Sequence, residues 1–297
     1  MAQEPPLVSV TVPTYNCART LPLCLRSVLD QGYPRLELIV VDGHSRDGTV
    51  AVAREMGARV LLCDGKLLAA RALGVREARG EFVLMLDADQ VLKPGAIARA
   101  VALAQAGPYD MLVLEEESFN RRWLVPRLYA ASKAIVNARF QGQGGFDPVR
   151  GGNPPRFFRR QLLLRALEAI PSELVPSILH YDHDIIYYEC LRLSRRVALL
   201  PDAVWHLEPD LGKLLRTNLR YGASLRAVKA TPYWHLFLKE REGVLWFGRP
   251  WKEGLLALVL HLLLKSVQAV GYHGARLREA WERLRGRPWP GGQARRA

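Results

Sequence analysis

Residues 81–94 read EFVLMLDADQVLKP, and this stretch decides how the chain folds. The five consecutive apolar residues 82–86 are too few for a helix and suit a strand that is buried on both faces. The strand ends in Asp87-Ala88-Asp89, and in an open α/β sheet ligands bind at the carboxyl ends of the strands. Two carboxylates one residue apart at that edge can share a divalent cation and its bound phosphates. Oxygen ligands of this kind suit Mg²⁺ or Mn²⁺.

Strands and helices alternate around this stretch. The elements predicted from apolar periodicity are strands at 7–12, 36–41, 59–62, 82–86 and 110–114, and helices at 20–29, 49–56, 67–78 and 94–106. This βαβα order implies an α/β fold, in which helices flank a mostly parallel sheet with right-handed crossovers. The loops that follow the first two strands should then lie at the same sheet edge as the two aspartates.

The positive charge of the chain is concentrated near its C-terminal end. The net charge is +13, and residues 211–297 contain 17 Lys and Arg against 5 Asp and Glu, with five of the seven tryptophans. We therefore expect an α/β domain over residues 1–210 and a basic, Trp-rich helical region over residues 211–297. Nucleic-acid binding is one explanation of such a charge, but no recognisable nucleic-acid module accompanies it, and we predict no nucleic-acid partner.

An apolar segment lies within the basic region. Residues 255–270 read LLALVLHLLLKSVQAV, and the polar residues His261, Lys265, Gln268 and Tyr272 form one narrow helical stripe. The run is shorter than the ~20 residues that cross a bilayer. A helix that dips into one leaflet of an anionic membrane, flanked by Trp and Arg, fits better. The pattern is also compatible with a true membrane span and with an ordinary core or oligomer helix.

The N-terminal residues and the cysteines indicate the compartment. MAQEPPLVSV does not have the basic and apolar segments of a secretory signal. The four cysteines show no zinc-site spacing and fit a reduced cytosol. Together with the apolar segment, these features predict a peripheral or monotopic protein on the cytoplasmic face of the cell membrane.

Three segments together resemble the family 2 glycosyltransferases, which have a GT-A fold. They are VSVTVPTYN at 8–16, VVDGHSRDGT at 40–49 and AARALGVREARGEFVLMLDAD at 69–89. The resemblance is strong over residues 7–110 and continues more weakly to about residue 225. It implies a glycosyltransferase that uses a nucleotide-diphosphate sugar, UDP- or GDP-linked, with Mn²⁺ or Mg²⁺ as cofactor.

The same resemblance implies which residues bind the donor. The residues implied for the nucleoside are Pro13, Thr14, Tyr15, Asn16 and Asp42. Arg71 would reach the diphosphate, a role that suits the guanidinium fork. Asp89 would be the main metal ligand, and Asp87 would contact the ribose or the metal with its bound water. His206, in VWHLEP, matches a histidine that lies near the metal or the diphosphate in the family.

The motif HYDHDI at 180–185 is similar to an acidic motif of the family, in which a carboxylate at the start of a helix takes the acceptor proton. By that match Asp182 is the base and Asp184 is a second acid, although Tyr181 stands where the family usually has Glu. Both aspartates would also suit the cap of the helix that follows. The residues implied on the acceptor side, near a glycine-rich segment before FFRR, are Asn153 and Arg159.

Together the residues and the resemblance predict an inverting, metal-dependent glycosyltransferase that acts on a lipid-linked or other membrane acceptor. A sugar nucleotidyltransferase shares the sheet plan but would need a glycine-rich, arginine-containing loop after strand one, where this chain has PTYNCART. A basic nucleic-acid-binding protein and a catalytically dead scaffold are two further hypotheses. The acids Asp42, Asp87, Asp89 and Asp182 are all present, which favours an active enzyme.

Overall fold

One eight-stranded sheet forms the centre of the described part of the protein. The computed structural model describes residues 4–142, 154–238 and 250–284. The strands are β1 (Val8–Thr14), β2 (Leu36–Asp42), β3 (Arg59–Leu62), β4 (Phe82–Met85), β5 (Gln90–Leu92), β6 (Met111–Ser118), β7 (Phe157–Arg159) and β8 (Val197–His206). Their order across the sheet is β3-β2-β1-β4-β7-β6-β8-β5.

Parallel pairing dominates the half of the sheet that the strand–helix repeats predict. β1 pairs in parallel with β2 and β4, and β2 pairs in parallel with β3. In the other half β7 is antiparallel to β4 and β6, β5 is antiparallel to β8, and β6 and β8 are parallel. The prediction of a mostly parallel α/β sheet is confirmed, with two short antiparallel strands added.

Ten α-helices accompany the sheet within the described residues. They are α1 (Leu21–Leu29), α2 (Thr49–Glu55), α3 (Leu67–Glu77), α4 (Ala96–Ala106), α5 (Leu124–Gly142), α6 (Arg160–Ala169), α7 (Asp182–Leu193), α8 (Leu211–Lys229), α9 (His235–Leu238) and α10 (Trp251–Leu284). Every element predicted between residues 7 and 114 occurs, with ends within two residues of the prediction. The exception is β6, which continues to Ser118.

The apolar run before Asp87 is buried on both faces, as predicted. Phe82 and Leu84 pack in one core layer with residues of α1 and α4. Val83 and Met85 pack in the opposite layer with residues of α3, α6 and α7. None of these four side chains is more than 1% exposed. β4 is therefore fixed in the middle of the sheet, and its carboxyl end presents Asp87 at the sheet edge.

The two long helices α8 and α10 pack against α5. Val125 and Leu128 of α5 form a small buried cluster with Leu214 of α8 and Leu260 of α10. α10 is one helix of 34 residues, about twice the length predicted from residues 255–270. By length and composition alone it could cross a membrane, since its most apolar window has a mean hydropathy of 1.7 and is 22% buried.

Two glycines bring α8 and α10 into direct backbone contact. A Cβ on Gly222 would lie 2.0 Å from the carbonyl oxygen of Gln268, and a Cβ on Gly271 would lie 2.2 Å from that of Leu219. At the same contact, Nε2 of Gln268 donates a buried hydrogen bond of 2.9 Å to Oδ1 of Asn218. Side chains larger than hydrogen at the two glycine positions would separate the helices.

Candidate active site

A cleft of about 1270 Å³ opens at the carboxyl ends of β1 and β4. The predicted site residues that line it are Pro13, Tyr15, Arg71, Asp87, Asp89, Asp182, Asp184 and His206. Residues of α8 and α10 form another wall of the same cleft. The fold therefore brings together side chains from well-separated segments of the chain, as the sequence predicts.

Asp42 organises the loops beside the cleft. It ends β2 and is fully buried. Its carboxylate accepts hydrogen bonds from the Thr14 hydroxyl (2.7 Å) and from the amide (2.7 Å) and hydroxyl (2.6 Å) of Ser45. Asn16 has a positive φ of 50° and accepts a hydrogen bond from the backbone of the loop after β2. These contacts join the ends of β1 and β2 and leave Tyr15 exposed at the cleft.

Two buried arginines hold the carboxylate of Asp87. Nη2 of Arg71 lies 2.6 Å from Oδ1, and Nη1 of Arg156 lies 2.8 Å from Oδ2. Burial raises the pKa of the Asp87 carboxyl, but the charges of Arg156 and Arg71 outweigh this and hold the pKa well below its usual range. The Asp87 carboxylate is therefore ionised, and each of its oxygens is paired with an arginine.

Arg71 also holds Asp182, the predicted base. Nε of Arg71 donates to Oδ2 of Asp182, so one guanidinium joins the end of β4 to the first residue of α7. Burial raises the pKa of the Asp182 carboxyl, and the Arg71 charge more than offsets this and lowers the pKa. Nη1 of Arg71 is buried at the cleft with no hydrogen-bond partner among the described residues. An unsatisfied cationic donor in this position suits an anionic ligand.

His183 is a neutral member of the same cluster. Its Nε2 accepts a hydrogen bond of 2.7 Å from Nη1 of Arg156. Burial, with the charges of Arg71 and Arg156, lowers the pKa of His183 to about 4. Asp184, on the same helix turn, is half-buried and lines the cleft. The first turn of α7 thus places two carboxylates at the cleft with an uncharged imidazole between them in sequence.

Asp89 faces a histidine rather than an arginine. Its Oδ1 lies 3.7 Å from Nε2 of His206, and Nδ1 of His206 lies 3.1 Å from Oε2 of Glu208. Burial and the Lys133 charge lower the pKa of His206, but Asp89 and Glu208 outweigh them and raise it above its ordinary value. No group of three metal-binding side chains occurs in the described ranges. One partly exposed carboxylate and one imidazole fit an Mn²⁺ or Mg²⁺ ion that takes further ligands from phosphates.

Arg156 is the main site residue that sequence reasoning missed. Its Nε lies 3.1 Å from Oε1 of Glu116, which also accepts a hydrogen bond of 2.7 Å from Gln90. Oε1 of Gln90 in turn accepts a hydrogen bond of 2.9 Å from the Asp87 amide. This buried network of Arg156, Glu116 and Gln90 holds Asp87 in position from the side of the protein interior. The sequence did contain one indication of Arg156. Glu116 is a charged residue inside a strand, where an acid is expected only if a basic residue pairs with it.

Arg159 lies away from the cleft. It ends β7 at the amino end of β4, which is the opposite end of that strand from Asp87. Its guanidinium contacts Glu81 at 3.2 Å and Asp110 at 3.4 Å. The predicted acceptor-side role of Arg159 does not fit this position. Asn153, predicted with it, lies outside the described residues.

Comparison with models of known protein families shows which family the chain belongs to. Residues 9–162, more than half of the chain, match the model of glycosyl transferase family 2. The chain belongs to this family. GlyG, a glycosyltransferase of Streptococcus pneumoniae, is 31% identical over 230 residues, which cover 71% of this chain and 74% of GlyG. The chain is therefore a family 2 glycosyltransferase.

Solved structures of glycosyltransferases share the fold of this family 2 enzyme. The mannosyltransferase PcManGT of Pyrobaculum calidifontis, solved with GDP-Man and Mn²⁺, has a TM-score of 0.54 at 23% identity, covering 95% of this chain and 85% of PcManGT. TarS 1–349 of S. aureus, solved with UDP-GlcNAc, has a TM-score of 0.52 at 18% identity, covering 95% of this chain and 93% of that protein. The GT-A fold expected from the resemblance is confirmed.

Proposed function

We propose that this glycosyltransferase moves a sugar, with inversion, from a nucleoside-diphosphate sugar to a hydroxyl group of a membrane-borne acceptor. The observation that supports this best is the position of Arg71. It is buried at the cleft between Asp87 and Asp182, and one of its nitrogens has no hydrogen-bond partner among the described residues. A donor diphosphate at this point would satisfy that nitrogen and leave its sugar next to both carboxylates.

On the donor side of the cleft, each group would have a binding role. The loop Pro13–Asn16 with Asp42 would hold the nucleoside, and Arg71 would hold the diphosphate. Asp89 and His206, with Asp87 beside them, would hold Mn²⁺ or Mg²⁺, and this ion would stabilise the negative charge of the leaving diphosphate. PcManGT was solved with GDP-Man and TarS with UDP-GlcNAc, so either base is a reasonable donor class for this chain.

The acceptor side needs a group that removes a proton. When the acceptor hydroxyl attacks the anomeric carbon, Asp182 would take its proton, because it lies at the cleft beside the proposed diphosphate site. Asp184 is the second carboxylate on that helix turn. Attack from the face opposite the leaving diphosphate inverts the anomeric centre.

The surface that would contact the membrane is the outer side of α10 together with the start of α5. The exposed apolar residues on α10 include Leu255, Val259, Leu262, Val270 and Leu277. Trp123 and Leu124, where α5 begins, are also exposed, and Arg121 and Arg122 precede them. Apolar and aromatic side chains flanked by arginines suit the interface of an anionic membrane, here the cytoplasmic face of the cell membrane.

A thermal-shift screen with nucleotides tests the donor side. We expect either UDP or GDP to raise the melting temperature, more in the presence of Mn²⁺ than in EDTA, because a ligand of the folded state stabilises it. The anomeric configuration of the product, read by NMR, then tests inversion. A protein that binds no nucleoside diphosphate with or without Mn²⁺ would contradict the proposal.

A further inference from the structure

The cleft extends beyond the strand ends to a second wall made by α8 and α10. The polar residues from these helices that line it are Lys213, Thr217, Asn218, Tyr221, His261 and Lys265. His261, Lys265 and Gln268 belong to the polar stripe that the sequence shows along α10. This stripe therefore faces the cleft, and the opposite side of α10 is the exposed apolar surface.

The packing of α8 against α10 sets which residues face each other. Asn218 bonds to Gln268, and further along the same two helices Arg226 pairs with Glu279. Because both contacts advance in the same direction along the chain, the two helices run parallel. Leu214 packs in one cluster with Leu260 and Leu264. Lys213, next to Leu214, is therefore level with the turns of α10 that carry His261 and Lys265.

The two walls of the cleft differ in charge. The strand ends and α7 contribute five carboxylates, Asp87, Asp89, Asp182, Asp184 and Glu208, of which Asp87 and Asp182 pair with Arg71. Among the described lining residues, α8 and α10 contribute the lysines Lys213 and Lys265, with apolar side chains from Leu214 and Leu264 on the same two helices. A wall of this composition suits a ligand that has an anionic group next to an apolar chain.

We propose that Lys213, Lys265 and His261 bind a phosphate group of the acceptor, and that Leu214 and Leu264 contact the apolar chain attached to it. This inference rests on the proposed function and narrows its acceptor to a phosphorylated lipid. The phosphate lies on the α8–α10 wall, separate from the donor diphosphate at Arg71. The acceptor hydroxyl that attacks the sugar is a different group, located at Asp182.

A binding experiment with farnesyl phosphate as probe tests the assignment. The full chain is first saturated with Mn²⁺ and the nucleoside diphosphate that raises its melting temperature, so that Arg71 is occupied. We expect farnesyl phosphate to bind at least tenfold more tightly than farnesol or inorganic phosphate. If inorganic phosphate binds as tightly as farnesyl phosphate, the site takes free phosphate and the lipid assignment is overturned. If farnesol binds as tightly, the phosphate site is overturned.

Variants on α8 and α10 test which residues bind the probe. The double variant Lys213→Ala/Lys265→Ala should weaken farnesyl phosphate binding by about a hundredfold or more, since each of the two lost charge-assisted hydrogen bonds contributes about 1.5–3 kcal/mol and 1.4 kcal/mol is tenfold. Arg216→Ala, on α8 but outside the cleft lining, is the matched control and should bind normally. Equal affinity of the double variant and the wild type would overturn the assignment.

Binding at the donor site and binding at the α8–α10 wall can be measured separately. Nucleotide binding by the wild type tests the donor site alone, and the double variant should keep it unchanged. A wild type that binds no nucleotide contradicts the proposed function, and the farnesyl phosphate titration can then be read without nucleotide. A double variant that loses nucleotide affinity as well would show that these lysines belong to the donor site, which also overturns the assignment.

Discussion

Arg71 is a buried charged residue that depends on two carboxylates of the site. It is 2% exposed, and its guanidinium contacts Asp87 after β4 and Asp182 at the start of α7. A buried arginine is tolerated only when carboxylates compensate its charge. Replacing it would therefore leave the buried Asp182 without its arginine partner and Asp87 paired with Arg156 alone, so substitutions of the carboxylates are easier to interpret than substitutions of Arg71.

Asp182→Asn should lower the transfer rate by about a hundredfold to ten-thousandfold, because it removes the proposed proton acceptor. Nucleotide affinity should stay the same or rise, because the neutral amide competes less for Arg71. Product formation and nucleotide binding are measured on the same preparation. Asp184→Asn is the paired variant, and a large loss there with a near-normal rate for Asp182→Asn would move the base to Asp184.

Asp89→Ala should lower transfer by on the order of a thousandfold or more, because the variant loses the proposed metal ligand at the leaving group. Its melting temperature should change little, since Asp89 is partly exposed at the cleft. The gain in melting temperature that Mn²⁺ gives in the presence of nucleotide should also disappear. Full activity of the wild type after EDTA treatment would contradict the metal role.

The lowered pKa of His183 predicts a pH dependence of stability. The folded-state pKa is about 4, against an ordinary value of 6.5, so between these pH values the unfolded chain binds the extra proton. Stability contributed by this group is present above pH 6.5 and is lost as the pH falls toward 4, at up to about 1.4 kcal/mol per pH unit. His183→Gln should show a smaller drop in melting temperature between pH 7 and pH 5 than the wild type. Equal drops would show that His183 is not responsible.

At the scale of elements, the glycine contacts between α8 and α10 are the most specific packing feature. A Cβ on Gly271 would lie 2.2 Å from the carbonyl oxygen of Leu219, whereas a Cβ on Gly274 in the same helix meets nothing within 4 Å. Gly271→Ala should destabilise the protein by about 1–3 kcal/mol because the helices must separate. Gly274→Ala should be neutral or stabilising by up to about 1 kcal/mol, from helix propensity. Denaturant unfolding measures both, and equal effects would contradict the contact.

The elements that the sequence predicts well are those with a long local pattern. The buried run of β4 and the helix α3 depend on residues within one short window, and both occur where predicted. β5 and β7 have three residues each, too few for a period to show. These two strands form because β8 and β4 are available to pair with them. Such pairing depends on tertiary contacts, which the local sequence does not show. The length of α10 was underestimated because its continuation past residue 270 is polar and charged.

The site residues also divide into those that a local motif reveals and those that depend on tertiary pairing. Asp87, Asp89 and Arg71 lie within one continuous motif, and the structure places them together at the cleft. Arg156 reaches Asp87 only because β7 inserts beside β4, so its local sequence does not reveal it. Arg159, which the resemblance implied on the acceptor side, lies three residues later, at the amino end of β4.

For the whole molecule, membrane attachment should have two additive contributions. One is burial of the apolar surface of α10, and the other is attraction of basic residues to anionic lipid, about 1 kcal/mol for each well-placed Lys or Arg. In liposome flotation, binding should weaken with added salt but persist, because salt screens only the second contribution. A protein that stays in the soluble fraction with anionic liposomes at low salt would identify α10 as a core or dimer helix.

The Arg71–Asp182 ion pair also has a consequence for reaction kinetics. Before the donor arrives, the carboxylate proposed to accept the proton is neutralised by Arg71, so an acceptor that binds first meets an inactive group. A diphosphate that competes for the guanidinium would free this carboxylate. The carboxylate should therefore become available as a base only after the donor has bound, whichever substrate enters the cleft first. In an isotope-trapping experiment, labelled donor bound before dilution should be captured as product when acceptor is added, and a bound donor that is never captured would contradict this sequence of events.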